Sequence, residues 1–307
     1  MSKIPKVFIV ILNWNRKDDT LATIKSIEGL VVRGYELVTV VVDNGSTDGS
    51  RKVLTGYKIS TGKYKYIQNS KNLGFAEGNN VGMRYCLKKG ADFVLLLNDD
   101  TIVDSNLVID LLKIFGKYPD AGILAPKIYF AKGYEFRKRY KDSELGQVVW
   151  YAGGDIDWNN VYGSNHGVDA VDTNQFDEVV DTDFATGCCM FVRKEVLKKV
   201  GLFDKRYFAY LEDADLSQKA KKAGYRVLYA PPAKLWHKVS QSSGIGSNLN
   251  DYFITRNRMI FGLSYASLRT KLALIRESLR LLAKGRKWQK IAIRDFYLGR
   301  FEKGSWK

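Results

Sequence analysis

Cysteine is scarce. The chain holds three, Cys86, Cys188 and Cys189, in 307 residues. An odd count with two members adjacent excludes a disulfide framework and points to a reducing, cytoplasmic compartment. No CxxC or CxxH spacing occurs, so the common structural zinc sites are excluded. Only two histidines are present, His166 and His237. Long apolar runs are missing too: none reaches the roughly 18 residues that span a bilayer. The opening "MSKIPKVFIVILNWN" carries an apolar run over Val7–Leu12 that stops at Asn13. It reads as a buried strand and not as a signal peptide. GxGxxG and Walker A sequences are absent, which argues against dinucleotide and ATP sites. No internal repeat or low-complexity tract is visible.

What is present is a globular composition. Hydrophobic residues make up 45% of the chain, enough for one large core or a core with an appendage. Positive charge is abundant and uneven. The net charge is +16, and the segment from Asp251 onward holds 14 Lys and Arg against 4 Asp and Glu, a net +10. Such a tail suits an anionic partner, such as membrane headgroups, nucleic acid or a phosphorylated substrate. A lysine-rich solvated surface would spread its charge more evenly.

Apolar segments at 6–12, 36–43 and 92–97 read as strands, with helical patterns between them. Leu21, Ile24, Ile27 and Leu30 have helical spacing over 16–30, and a second amphipathic stretch lies near 76–89. Consecutive apolar residues indicate strands buried on both faces. Alternation with helices then predicts a mostly parallel α/β sheet, in which ligands sit at the carboxyl ends of strands. Asn13, Asp43 and Asn98-Asp99-Asp100 each stand where an apolar strand ends. Any one of them could simply cap a helix or start a turn. Together they describe a crevice.

The α/β rhythm breaks over 127–182, rich in Gly, Asn and aromatics, which predicts inserted hairpins and loops. Its aromatics suit stacking on sugar rings, although strand packing explains Trp150 and Trp158 nearly as well. Paired carboxylates at a strand end suit Mg²⁺ or Mn²⁺, which prefer oxygen ligands and bridge to diphosphates. Further on, Glu212 and Asp213 open an amphipathic helix that Gly224 ends. A dipole role accounts for one or two carboxylates, but Glu212, Asp213 and Asp215 exceed it. A carboxylate near an acceptor hydroxyl can act as general base. His237 follows an apolar strand and is a plausible metal ligand beside carboxylates. Cys188-Cys189 reads as buried strand filler lining a pocket.

The segments "FIVILNWN", "VVVDNGSTDGS", "NLGFAEGNN", "LLLNDD", "ATGCCMFVRKEVLKKVGLFD", "YLEDADLSQKAKKAGYRVLYAP" and "LWHKVSQSSG" stand in one order. In that order the chain resembles family 2 glycosyltransferases, nearest their rhamnosyltransferase-like branch, over about residues 5–262. The resemblance implies a GT-A fold and an inverting, metal-dependent transfer from a nucleoside-diphosphate sugar, dTDP-rhamnose or a UDP-sugar. The acceptor would be a saccharide or lipid-linked saccharide hydroxyl. Asn13, Asp43, Asn72, Gly74, Asn79, Asn98, Asp99, Thr186, Gly187 and Cys188 would line the donor. Asn98 replaces the first Asp of the family's DXD motif, so Asp100 and His237 would hold Mn²⁺ or Mg²⁺. Asp213 would be the base, with Glu212 behind it or on the acceptor.

This divides the chain into a catalytic domain over 1–250, with the 127–182 insertion, and a basic helical extension over 251–307. A nucleotidyltransferase making nucleotide-sugars is the rival enzyme, but its glycine-rich basic loop is missing after the first strand. A nucleic-acid-binding protein would leave the carboxylate set unexplained, so no nucleic acid is expected. In the extension, Leu268, Leu272, Ile275, Leu279 and Leu282 form one apolar stripe, with Arg269, Arg276 and Arg280 on another face and Trp288 among cations. The stripe either lies on an anionic membrane surface or packs on the catalytic domain or in a homodimer.

Overall fold

The computed structural model describes residues 4–137, 139–239 and 247–306. The end of the "LWHKVSQSSG" segment, from residue 240, lies outside the described residues. The amino-terminal half runs β1 (Lys6–Asn13), α1 (Lys17–Glu28), β2 (Glu36–Asp43), α2 (Ser50–Thr55), β3 (Lys63–Gln68), α3 (Gly74–Lys88), β4 (Phe93–Asn98) and β5 (Thr101–Val103). It continues with α4 (Leu107–Lys117) and β6 (Ala121–Phe130). Then come β7 (Val149–Tyr151), β8 (Gly154–Asp157), β9 (Tyr162–Asn165), β10 (Val180–Asp181) and β11 (Cys189–Arg193). After these follow α5 (Lys194–Val200), α6 (Glu212–Lys222) and β12 (Arg226–His237). Three helices close the chain: α7 (Asn248–Tyr265), α8 (Leu268–Lys284) and α9 (Lys287–Tyr297).

One sheet has the order β10-β12-β6-β11-β4-β1-β2-β3, with β5 paired to β12 and β7 to β6. Strands β4, β1, β2 and β3 are parallel, and β11 runs against β4 and β6. The apolar runs explain the inner strands. Val7, Ile9, Val10 and Ile11 of β1 and Val94–Leu96 of β4 are fully buried, covered on both faces. Each such aliphatic side chain contributes about 1.5–3 kcal/mol of transfer free energy. Edge strand β3, "KYKYIQ", alternates charged and aromatic residues and carries too little apolar signal to be read as a strand beforehand.

Of the 127–182 segment, Lys127–Phe130 are not loop but the buried end of β6. The rest forms β7, the β8–β9 hairpin and β10. Lys127 itself is fully buried. Its ammonium meets Asp172 at 2.7 Å and Asp177 at 2.5 Å, which ties the inserted loop to the sheet.

The expected boundary at residue 250 falls inside α7. That helix is a core element. Tyr252, Phe253, Arg256 and Asn257 are fully buried, and α9 packs along it. Helix α8 comes close because Gly262 has no Cβ, which would collide with Leu274 and Val161. Packing by α8 uses Thr270, Leu274 and Ser278. The stripe foreseen in the sequence faces the other way: Leu268 is 73% exposed, and Leu272 and Leu279 are each 59% exposed. It therefore does not pack on the catalytic body. The half-buried Trp288 ring meets Tyr252 edge-on and Trp306 at a tilt, 4.6 Å between centroids.

Candidate active site

Register brings the polar strand ends together. Asn13 pairs with Asp43 across β1 and β2, and Leu12 pairs with Asn98 across β1 and β4. Asn13, Asp43 and Asn98 thus share one edge of the sheet. Asp43 is fully buried and occupied: Oδ1 accepts from the Ser46 N–H at 2.9 Å and Oδ2 from the Tyr66 hydroxyl at 2.8 Å. Asn13 donates to Ser46 Oγ. These bonds shape the turn that follows β2.

A second loop approaches the same edge. Asn44 donates to Asn72 Oδ1 and to the Gly74 carbonyl, and accepts from Asn69 and the Leu73 N–H. Gly74 has φ +82°, and a Cβ there would overlap the Phe208 ring and carbonyl. Its structural need is this close approach, reinforced by the Ala76 N–H donating to the Phe208 carbonyl. Asn79 bonds back to the Phe75 carbonyl of its own helix.

Asp100 and His237 are far apart in the chain and adjacent in space. The turn after β4 leads into β5, which pairs with the end of β12, with Thr101 opposite His237. The Lys238 N–H then donates to the Asp100 carbonyl at 2.8 Å. As a result His237 Nε2 stands 2.9 Å from Asp100 Oδ1. The approach is poorly aligned, and Asp100 Oδ1 is buried without a well-formed hydrogen bond. A carboxylate oxygen and an imidazole nitrogen converging on one point suit a divalent cation whose other positions go to water and diphosphate. Among the described residues no three His, Cys, Asp or Glu cluster as a complete metal site. Asp100 Oδ2 meets the Arg16 guanidinium at 3.0 Å. Burial disfavours its ionisation, but His237 and Arg16 outweigh this and hold the carboxyl below its usual range. Burial, and then the charge of Asp100, push Asp99 well up.

The loop Thr186-Gly187-Cys188 connects this pair to the second carboxylate site. The Asn98 N–H donates to the Cys188 carbonyl at 2.9 Å, and the Gly187 N–H donates to Asp213 Oδ2 at 2.8 Å. Asp213 Oδ1 also accepts from the Ala214 N–H at 2.8 Å. Burial raises the pKa of Asp213, while these N–H groups oppose the shift. Glu212 is pushed well up by burial and then by Asp213, and its Oε2 has no partner. The two neighbours are therefore unequal: burial and Asp213 disfavour ionisation of Glu212, while two N–H donors favour the ionised form of Asp213. Cys188 is buried beside Asp100, and burial and then that charge push its thiol well up, which disfavours the thiolate.

A cavity of about 300 Å³ lies against Glu212, Asp213 and Thr186, walled by Trp150, Tyr162 and Phe261 among others. Trp150 also meets His237 edge-on, ring centroids 4.8 Å apart. It links the metal-type pair to the cavity. Asp215 takes no part. It accepts from the Tyr265 hydroxyl and pairs with Lys219, anchoring α7 to α6.

Two features escape sequence reasoning. One is Arg16, outside the strand-end pattern. The other is a clamp on the loop preceding Glu212. Phe208, Tyr210 and Leu211 have φ of +63°, +72° and +71°. Asn257 Nδ2 donates to the carbonyls of Tyr207, Ala209 and Tyr210 at 2.7–2.9 Å. Arg256 binds the carbonyls of Arg206 and Tyr207, and Phe253 stacks on Phe208 at 5.1 Å.

Solved structures share this architecture. GalNAc-T7 with UDP, GalNAc and Mn²⁺ superposes with a TM-score of 0.61 at 16% identity, covering 97% of this chain and 57% of that one. The mannosyltransferase PcManGT from Pyrobaculum calidifontis, with GDP-Man and Mn²⁺, gives 0.54 at 14% identity, covering 99% and 88%. The fold is GT-A. Among curated proteins, the N-acetylglucosaminyl-diphospho-decaprenol L-rhamnosyltransferase of Mycobacterium tuberculosis (strain ATCC 25618 / H37Rv) is 25% identical over 214 residues, 67% of each chain. The family profile described as "Glycosyltransferase like family 2" matches residues 5–262, and the chain belongs to that family of glycosyltransferases.

Proposed function

We propose that the protein is an inverting, divalent-cation-dependent glycosyltransferase that uses a nucleoside-diphosphate sugar, dTDP-rhamnose or a UDP-sugar. The acceptor is a hydroxyl of a saccharide or lipid-linked saccharide. One observation carries this reading. The loop Thr186–Cys188 hydrogen-bonds to Asn98, beside the Asp100–His237 pair, and to the Asp213 carboxylate, which lines an aromatic-walled cavity. The donor would lie along Asn13, Asp43, Asn72, Gly74, Asn79, Asn98, Asp99, Thr186, Gly187 and Cys188.

Asp100 and His237 would hold Mn²⁺ or Mg²⁺, which when bound offsets charge on the diphosphate. Two Mn²⁺-bound relatives of the same fold support a divalent ion. Asp213, fixed by two N–H groups, accepts the proton of the acceptor hydroxyl. The freed oxygen forms its bond to the anomeric carbon on the face opposite the diphosphate. The bond from that carbon to the phosphate oxygen breaks, and the nucleoside diphosphate departs with the electron pair. No protein nucleophile intervenes, so configuration inverts. Trp150, Tyr162 and Phe261 line the cavity in which sugar rings would sit.

The exposed stripe of α8 favours a position on an anionic membrane surface, as suits a lipid-linked acceptor. Leu268, Leu272, Ile275, Leu279 and Leu282 point outward, with Arg269, Arg276 and Arg280 exposed beside them. No helix among the described residues is long and apolar enough to cross a membrane. Thermal shift with UDP, dTDP and GDP, with and without Mn²⁺, tests the donor reading. Absence of any Mn²⁺-dependent stabilisation by all three would overturn it. Salt-sensitive sedimentation with anionic vesicles, lost with Leu272→Asp, tests the surface. Equal binding to neutral vesicles refutes it.

A further inference from the structure

The cavity beside Asp213 has one cationic wall residue among those described, Arg258 of α7. The side chain is 10% exposed, yet its ion-pair partner Glu277 is 41% exposed at the edge of α8. Nη1 and Nη2 donate to the two Glu277 oxygens at 2.9 and 2.8 Å. The guanidinium is held without that partner. Nε donates to the Asn160 carbonyl at 2.7 Å, and the plane lies over the Tyr162 ring at 4.4 Å. Arg258 thus lines the half-open cavity with a guanidinium fixed by Asn160 and Tyr162, while its counter-ion stands partly in water.

We infer that Arg258 is the binding site for the phosphate of an acceptor sugar phosphate, whose oxygens replace the Glu277 carboxylate. The inference rests on the glycosyltransferase reading above and deepens it. Three features favour phosphate. The planar fork donates two parallel N–H groups, which matches phosphate oxygens. Arg258 is the one cationic residue of the described lining, so one anionic group has one place to go. Glu212 and Asp213 line the same cavity, so the acceptor would lie with its reacting hydroxyl at Asp213 and its phosphate at Arg258. Glu277 also sits on the helix whose outer face carries the exposed leucines. About one helix diameter, ~10 Å, therefore separates the phosphate position from the proposed lipid surface. A saccharide linked to lipid through phosphate has its phosphate at that end.

The test compares two soluble probes with one sugar and one alkyl chain, joined by diphosphate or directly as a glycoside. Dissociation constants are measured for the full chain and for Arg258→Gln, Arg258→Lys and Glu277→Gln, with Mn²⁺ and UDP present. Arg258→Gln should weaken the diphosphate probe at least ten-fold and leave the glycoside within two-fold. Arg258→Lys should fall between, since it keeps charge and loses the fork. Glu277→Gln should tighten the diphosphate probe several-fold, because it removes the competitor. A purely structural ion pair predicts that Glu277→Gln weakens both probes equally, and this result would overturn the inference. So would an Arg258→Gln defect confined to anionic vesicles, which would assign the arginine to headgroups. Affinity for UDP and Mn²⁺ is read separately on the unaltered chain, so a failure of the donor reading stays distinguishable.

Discussion

Replacing Asn257 with alanine should cost catalysis more than it costs the fold. The three left-handed residues before Glu212 store backbone strain, at about 1–3 kcal/mol each. Asn257 offsets this with one amide that serves three carbonyls at 2.7–2.9 Å. Asn257→Ala leaves those buried carbonyls short of donors, at about 1–3 kcal/mol for each left unsatisfied. The carbonyl of Tyr207 keeps Arg256 and the Ala209 N–H as partners, so the Ala209 carbonyl bears most of the loss. The expected loss is thus about 1–3 kcal/mol, well below the usual 5–15 kcal/mol of total stability. The folded state relieves part of this by relaxing the loop, and Leu211 is the residue that starts α6. Asp213 then shifts relative to the Gly187 N–H. A displacement of about 1 Å costs on the order of 10²-fold in rate. The measurement is kcat beside UDP affinity and urea unfolding. The expected result is a kcat lowered about 10²-fold, with UDP affinity changed far less, because Asn13, Asp43 and Asn72 lie on other elements and only Gly74 touches the loop, through Phe208. Wild-type kcat in a folded Asn257→Ala protein would refute the reasoning. So would a loss of kcat no larger than the unfolded fraction.

Asp213→Asn should lower kcat by about 10²–10⁴ with little change in donor affinity; if Glu212→Gln shows the large loss instead, the two roles are exchanged. Because Asp213 must be ionised to accept a proton and its pKa is raised, kcat/KM should rise with pH through that value and fall away below it; a profile flat down to the ordinary Asp range near pH 4 refutes the assignment. Asp100→Ala and His237→Ala should each weaken Mn²⁺-dependent UDP binding while the circular dichroism spectrum stays intact, and retained metal dependence in His237→Ala makes the histidine structural. Lys127→Ala strands the buried Asp172 carboxylate and should destabilise the fold by up to about 3–5 kcal/mol in urea unfolding; the exposure of Asp177 places the expectation at the lower end.

Consecutive apolar residues in β1, β2 and β4 are a local signal, since a strand buried on both faces tolerates nothing else. The polar residues ending those strands, Asn13, Asp43 and Asn98, were legible for the same reason. The two carboxylate pairs also stood out, one after β4 and one opening α6. Local pattern could not show that β5 folds against β12 and carries Asp100 to His237, because strand pairing is a choice among distant partners. It could not give α7 its place in the core: Arg256 and Asn257 look like surface residues until the carbonyls of a left-handed loop need donors. The α8 stripe shows the same limit in reverse. Its spacing was plain, but periodicity says only that a helix has an apolar face, not which way it turns. Packing through Thr270, Leu274 and Ser278 decided that, because Gly262 admits α8 only on that side and so leaves the leucines outward.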